Sequence, residues 1–127
     1  MVIIDTSVWI SYLNRPGSAE KRTIETLLDA DAAILVGVVL AELLQGCRSQ
    51  DEIAALRHLL VALPYLETIQ STWIKAGELS YVLRKKGMTL PISDLIIAAL
   101  AFEHDCAVYS LDSHFTKIPD LQLYSSV

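Results

Sequence analysis

The sequence lacks a cysteine framework, a long apolar run and an excess of positive charge. Its two cysteines, Cys47 and Cys106, have neither metal-ligand spacing nor the spacing of a disulfide scaffold, so we interpret them as packing residues in a reducing compartment. The longest apolar run, 32–41, has ten residues and is too short to span a bilayer as a helix. Met1 leads directly into an apolar segment, so we expect no signal peptide and a cytoplasmic protein.

Fifteen acidic and ten basic side chains give the chain a net charge of −5 over 127 residues. This balance argues against broad electrostatic capture of nucleic acid, which normally needs a positive surface. It does not exclude a nucleic-acid enzyme, because negative charges concentrated in one metal site are compatible with a basic rim. The length predicts a single domain over residues 1–127.

Short apolar segments alternate with amphipathic segments along the chain. Apolar runs predict buried parallel strands at 2–4, 33–38 and 107–112, and shorter strands are expected at 65–70 and 121–124. The helices between them are predicted to begin at Ser49 (a capping box with Glu52), at Ser71 or Thr72, and at Ser93. The alternation predicts an α/β fold, a three-layer α/β/α domain with a mainly parallel central sheet.

Four acidic residues stand in apolar surroundings. Asp5 and Asp112 end apolar strands, Glu42 lies within the apolar segment 37–44, and Asp94 begins the most apolar helix of the chain. Each of them alone is explained equally well as a helix cap or a turn residue. All four together are costly to bury unless they are paired or bind a metal.

Topology predicts where these carboxylates meet. Parallel strands end at one edge of a sheet, and the helices that follow them begin there, so the four side chains are expected to face one crevice. Like charges raise one another's pKa, and a hard divalent cation removes that conflict. Oxygen ligands without a nearby His or Cys favour Mg²⁺ or Mn²⁺ over zinc. Such sites hold phosphates and activate water for phosphodiester hydrolysis.

The segments that carry these acids resemble the motifs of PIN-domain ribonucleases, specifically the VapC-type toxins of VapBC toxin–antitoxin pairs. Asp5-Thr6-Ser7 resembles the opening D-[TS]-[SN] motif, and Glu42 lies in the counterpart of the second acidic motif. Segments 93–99 and 110–115 resemble the third and fourth motifs. The resemblance covers essentially the whole chain, with its motifs in the family's order.

This resemblance implies endonucleolytic cleavage of RNA at a Mg²⁺ or Mn²⁺ site, homodimerisation, and inhibition by a small DNA-binding antitoxin. It implies that the metal ligands and catalytic residues are the acids Asp5, Glu42, Asp94 and Asp112. Ser110 and one of Thr6 or Ser7 would orient water or a ligand carboxylate.

Two positions depart from the family pattern. Ser110 replaces the usual threonine, which is a mild change. His114 stands where a further aspartate is common, which puts a fully occupied second metal site in doubt. We interpret His114 as a surface residue ahead of Phe115, with contact to a substrate phosphate as the alternative.

Basic and leucine-rich segments suggest partner surfaces. Arg15, Arg48, Lys85 and Lys86 are candidates for contacts with RNA phosphates, although for the two lysines the simpler explanation is compensation of a helix dipole. The apolar helical faces between 24 and 63 exceed what one small core needs and could form a groove for an antitoxin helix. An arginine of such a partner would be attracted to the carboxylates.

Three alternatives stay open at this point. A receiver-like phospho-acceptor domain has a similar length and sheet, but it resembles this chain poorly, because Asp5 is followed by Thr6 and Ser7 and not by a second acid. A PIN scaffold that binds RNA or a partner protein without catalysis would keep the fold and lose the chemistry. Cleavage of DNA in place of RNA is chemically equivalent at such a site.

Overall fold

The structure is a computed structural model that describes residues 1–125, so the last two residues of the predicted domain lie outside it. Strands alternate with helices. The strands are β1 (Val2–Ile4), β2 (Ala33–Val36), β3 (Tyr65–Leu66) and β4 (Ala107–Tyr109). The helices are α1 (Thr6–Asn14), α2 (Ala19–Asp29), α3 (Gly37–Gln45), α4 (Gln50–Leu60), α5 (Gln70–Lys85) and α6 (Ile92–His104), and a 3-10 helix spans Ser113–Lys117.

The four strands form one parallel sheet in the order β3-β2-β1-β4. The chain moves outward from β1 through β2 to β3 and then crosses back to β4. Because parallel crossovers are right-handed, this reversal puts α1–α4 on one face of the sheet and α5–α6 on the other. The reversal point lies between β1 and β4, beyond whose carboxyl ends α/β folds usually bind ligands.

The core lies around β1 and α6. All three residues of β1 are buried, and α6 is buried continuously from Asp94 to Ala101. An element that is apolar on every side must be central, and α6 does pack between α5 and β4. Asp5 directly follows β1 and Asp94 lies in α6, so both acids are attached to buried elements of the core. None of the helices within residues 1–125 combines the length and apolar character needed to cross a membrane.

Several predicted boundaries are wrong, although the elements exist. The second strand stops at Val36, and the following apolar residues already belong to α3, since buried helix and buried strand have the same composition. Helix α6 begins after Pro91, not at Ser93, and its cap makes no side-chain hydrogen bond. Helix α5 begins after Ile69. The expected strand at 121–124 is reduced to one bridge from Leu123 to Val108.

Other local predictions are confirmed. Ser49 caps α4, as predicted, by accepting a hydrogen bond from the backbone N–H of Glu52. The second bond of the predicted capping box is shifted by one residue, because the Glu52 carboxylate accepts the backbone N–H of Arg48 and not that of Ser49. This exchange satisfies amides that a helix N-terminus leaves without partners. Cys106 is buried and Cys47 is half-buried, and both are free thiols, as expected of packing residues.

Candidate active site

Asp5 lies where β1 passes into α1, and its carboxylate is held by two serines. The backbone of Asp5 is extended and its carbonyl accepts the first hydrogen bonds of α1, but its side chain caps nothing. Instead Oδ2 accepts hydrogen bonds from Ser7 Oγ at 2.8 Å and from Ser110 Oγ at 2.7 Å. The helix-cap explanation therefore fails for this carboxylate, which is 5% exposed.

Ser110 joins the ends of β1 and β4. Its hydroxyl donates to Asp5 and accepts the backbone N–H of Asp112 at 2.9 Å, while Ser7 Oγ accepts the N–H of Leu111 at 3.0 Å. Neighbouring parallel strands bring these residues together although they are more than 100 positions apart. The two serines thus fix the Asp5 carboxylate relative to the loop that carries Asp112.

Glu42 reaches the site edge from α3. Its Oε1 accepts a hydrogen bond from Thr6 Oγ1 at 2.8 Å, and Thr6 is the residue after Asp5. The side chain is half-buried, in the second turn of its helix. Thr6, Ser7 and Ser110 each bind a candidate carboxylate, in the positions expected of supporting residues.

Asp94, Asp112 and His114 form the tightest group. His114 Nδ1 lies 2.8 Å from Asp94 Oδ2 and 3.1 Å from Asp112 Oδ1. The backbone N–H of His114 also donates to Asp112 Oδ1, at 2.9 Å, so Asp112 caps the 3-10 helix. One candidate ligand atom from each of the three residues lies within 4.8 Å of the others.

The electrostatics of Asp94 show that the acids converge. Burial raises the pKa of the Asp94 carboxyl above its usual value, and the negative charges of Asp5 and Asp112 raise it further, against the lowering effect of the His114 hydrogen bond. Asp94 is only 8% exposed. A buried carboxylate with two acidic neighbours needs positive charge.

The interpretation of His114 as a surface residue is wrong. Its side chain is 35% exposed and its ring points at two of the predicted acids. The ring is carried by the 3-10 helix that follows Asp112, and its Nδ1 lies 2.8 Å from Asp94 Oδ2 and 3.1 Å from Asp112 Oδ1. The expectation of an oxygen-only site without nearby histidine is corrected by the same contact.

The donor set fits a divalent cation. Asp94, Asp112 and His114 would hold it, with Asp5 adjacent and Glu42 farther along the same edge. The four predicted acids are thus brought to one side of the sheet, but Glu42 and Asp5 stand outside the compact three-residue group. The Asp94 carboxyl, whose pKa is raised by burial and by the charges of Asp5 and Asp112, is the chemical reason for expecting a cation here.

The basic candidates are dispersed. Arg15 is exposed at the end of α1, and Arg48 lines a groove that also contains Glu42. The Nζ of Lys85 lies over the ring of Tyr81, 5.3 Å from its centroid, and Lys86 directly follows α5. Their contact with RNA stays a prediction, and the end of α5 is also where a helix dipole favours cations.

The groove runs between α1, α3 and α4. It has a volume of about 510 Å³, and its apolar lining includes Ile10, Leu13, Leu43 and Leu56. Of the four candidate acids, Glu42 is the one that forms part of the lining. The predicted contribution of α2 is not seen in this lining. Three helices thus present an apolar surface beside the carboxylates.

Comparison with known proteins places this geometry in a family. A family model described as "PIN domain" matches residues 2–121. The chain belongs to the PIN-domain family. The sequence of this PIN domain is 30% identical to Ribonuclease VapC11 of Mycobacterium tuberculosis over 132 aligned residues, which cover 98% of each protein. The receiver alternative is thereby overturned.

Solved structures share the fold of this PIN domain. VapBC2 from Rickettsia felis, bound to a DNA fragment of its promoter, contains a chain that matches with a TM-score of 0.82 and 23% identity over 98% of both chains. VapBC-1 from nontypeable Haemophilus influenzae matches with a TM-score of 0.80 and 21% identity over 98% of both chains. At these identities the likeness establishes the fold.

Proposed function

We propose that this PIN domain is the toxin of a type II toxin–antitoxin pair, an endoribonuclease that hydrolyses RNA phosphodiester bonds with Mg²⁺ or Mn²⁺. The name of the relative at 30% identity, a VapC ribonuclease, supports the activity. The observation that carries the chemistry is the buried Asp94, whose pKa is raised by burial and by the charges of Asp5 and Asp112.

The chain's own residues position the acids. Ser7 and Ser110 fix Oδ2 of Asp5, Thr6 fixes Oε1 of Glu42, and the backbone of His114 fixes Oδ1 of Asp112. A divalent cation, when bound, neutralises the charge of a phosphodiester and lowers the pKa of water so that it can attack phosphorus. Hydrogen bonds of this kind hold such acids near their productive positions before the substrate arrives.

The test is cleavage of a structured RNA by the purified protein, freed of any partner, with Mg²⁺, with Mn²⁺ or with EDTA. We expect cleavage with a cation, none in EDTA, and loss of cleavage in Asp5→Asn. Asp29→Asn is the matched control, because it makes the same chemical change at an exposed residue at the end of α2. Equal activity of wild type and Asp5→Asn would contradict the proposal.

Two alternatives are separated by the same assay. Matched ribo- and deoxyribo-oligonucleotides of one sequence distinguish an RNA hydrolase from a DNA hydrolase. Binding of the oligonucleotide without cleavage under all cation conditions would favour a silent scaffold. The four acids and their hydroxyl partners would then need a purely structural role.

We propose that the groove between α1, α3 and α4 accepts an amphipathic helix of the antitoxin. Two lining side chains, Ile10 and Leu13, are 48% and 44% exposed, which is costly for a free surface. A basic residue on the bound helix would reach Glu42 in the same groove and block the site. The helix-in-groove arrangement buries apolar side chains spaced three or four positions apart.

A pair of neighbouring alanines on α4 tests the groove. Ala55 lines it, whereas Ala54 is exposed next to it and is not part of the lining. We expect Ala55→Arg to abolish inhibition by the co-expressed antitoxin while RNA cleavage continues, and Ala54→Arg to retain inhibition. If both variants are inhibited like the wild type, the antitoxin binds elsewhere.

We propose that an apolar stripe on α5 forms the homodimer. Trp73, Gly77 and Tyr81 are spaced by four within α5, so they share one face, and Ile69 directly precedes the helix. The three large side chains, Ile69, Trp73 and Tyr81, are exposed. A Cβ at Gly77 would meet nothing within 4 Å, so the isolated chain has no need of glycine there. Glycine in a helix interior is about 0.5–1 kcal/mol less favourable than alanine. Because glycine has no side chain, a second helix can approach the backbone closely at this position.

Light scattering after gel filtration tests this surface. Trp73→Glu is expected to give monomers. Val61→Glu, which introduces the same acidic residue at an exposed apolar position directly after α4, is expected to leave the dimer intact. A monomeric wild type, or equal disruption by both variants, would show that the stripe is not the dimer interface.

A further inference from the structure

His114 occupies a position that the acidic cluster alone does not explain. Its Nδ1 lies between two carboxylates, 2.8 Å from Oδ2 of Asp94 and 3.1 Å from Oδ1 of Asp112. The ring is carried by the 3-10 helix Ser113–Lys117, whose first turn Asp112 itself caps. Its partner Asp94 comes from a different element, the buried helix α6.

We propose that His114, through Nδ1, is a protein ligand of the cation together with Asp94 and Asp112, and that it makes the site prefer Mn²⁺ to Mg²⁺. This inference rests on the proposed function in one respect only, namely that the site takes a divalent cation. It names the ligand that decides which cation binds more tightly.

The chemistry of the donor atoms supports this preference. Mg²⁺ is a hard cation that takes oxygen ligands and gives up its waters reluctantly. Mn²⁺ accepts carboxylates as well, and an imidazole nitrogen suits transition-metal cations better than it suits Mg²⁺. Replacing one carboxylate of an all-oxygen set by imidazole therefore weakens Mg²⁺ binding more than Mn²⁺ binding.

The geometry leaves room for a cation without large rearrangement. The three candidate ligand atoms already lie within 4.8 Å of one another. The hydrogen bonds around His114 engage Oδ2 of Asp94 and Oδ1 of Asp112, which leaves the second oxygen of each carboxylate. Nδ1 lies within hydrogen-bond distance of both acids, and a lone pair on this nitrogen is the donor that a cation would take from the imidazole.

A purely structural role for His114 makes a different prediction. In that case the ring only offsets the charge of Asp94 and Asp112, and its replacement would change the stability of the fold without changing the order of cation affinities. The test therefore has to read the bound cation directly, separately from RNA cleavage.

Calorimetry of the metal-stripped protein with MnCl₂ and with MgCl₂ provides the first readout. Because loss of residues that only support a ligand already costs about 10–100-fold in metal affinity, we expect His114→Asp to change the Mn²⁺/Mg²⁺ affinity ratio by about tenfold or more. The change should favour Mg²⁺, since Asp restores an oxygen ligand. His104→Asp, at the exposed end of α6, is the matched control and should keep the wild-type ratio.

Pulsed electron paramagnetic resonance of the Mn²⁺-loaded protein provides the second readout. We expect the ¹⁴N modulation of a coordinated imidazole in wild type and in His104→Asp, and none in His114→Asp. The inference is overturned by Mn²⁺ bound without nitrogen coupling, by an unchanged affinity ratio in His114→Asp, or by the absence of binding of both cations. Nitrogen-coupled Mn²⁺ in a protein that cleaves no RNA would support the inference and contradict the proposed function.

Discussion

Removal of the Ser110 hydroxyl is the perturbation whose consequence the structure determines most fully. Ser110 Oγ donates to Oδ2 of Asp5 at 2.7 Å and accepts the backbone N–H of Asp112 at 2.9 Å. A hydrogen bond to a charged group contributes about 1.5–3 kcal/mol, and Asp5 is only 5% exposed. We therefore expect Ser110→Ala to lower the free energy of unfolding by about 2 kcal/mol.

Ser110→Ala should also reduce the rate of RNA cleavage, because Ser110 orients the Asp5 carboxylate. Partners that orient metal ligands typically contribute about 10–100-fold to metal affinity or activity. We expect a loss of that size in RNA cleavage by Ser110→Ala. Ser110→Thr retains the hydroxyl and should retain most of both properties, while Ser113→Ala, at an exposed residue of the 3-10 helix, should change neither.

Urea unfolding and cleavage kinetics, measured on the same preparations, check both parts. The stability loss corresponds to a decrease in Tm of roughly 6–8 °C for a chain of this size. Ser110 does not hold Asp5 in place if the free energy of unfolding of Ser110→Ala lies within about 0.5 kcal/mol of the wild-type value and the variant cleaves RNA at the wild-type rate. The network between β1 and β4 would then be incidental.

Three further predictions concern stability. The pKa of Asp94 is higher in the folded state than in the unfolded chain, so the ionised carboxylate destabilises the fold at neutral pH. Asp94→Asn should therefore abolish cleavage and increase the free energy of unfolding by on the order of 1 kcal/mol. A variant less stable than wild type would contradict this prediction. Hydrogen bonds from two hydroxyls at the start of α5 lower the pKa of the Glu103 carboxyl, so ionised Glu103 stabilises the fold above its pKa in the unfolded chain, and this stabilisation is lost as the pH falls. In unfolding curves measured at a series of pH values, Glu103→Gln should lose less stability on acidification than wild type. The same loss in both proteins would refute this prediction. A Cβ at Gly37 would lie 2.9 Å from the Tyr65 hydroxyl, so Gly37→Ala should be better tolerated in a Tyr65→Phe background than alone; equal effects in a double-mutant cycle would exclude the clash.

The sequence predicts the elements that carry the acids better than it predicts their ends. Three apolar residues before Asp5 suffice to identify a buried strand, and the position of Asp94 follows from the apolar helix behind it. The end of β2 could not be located, because Gly37 and Val38 continue the same apolar pattern into a buried helix. Composition does not distinguish a strand from a helix that is buried on every side.

Contacts between distant parts of the chain account for what was missed in the site. His114 reaches Asp94 across 20 positions, and Thr6 reaches Glu42 across 36. No local pattern gives the direction of the His114 ring, since it depends on the 3-10 helix that Asp112 caps. A side chain placed by tertiary structure is visible only once the strands and α6 are assembled.

The dependence of RNA cleavage on cation concentration, compared in wild type, Asp94→Asn and Asp29→Asn, shows whether the acids between β1, β4 and α6 form the active site. We expect saturable, cation-dependent cleavage in wild type and in Asp29→Asn, whose changed residue is exposed at the end of α2. In Asp94→Asn we expect a folded protein that does not cleave RNA at any cation concentration. Cleavage by Asp94→Asn with the wild-type cation dependence would show that the acids between β1, β4 and α6 are not the active site.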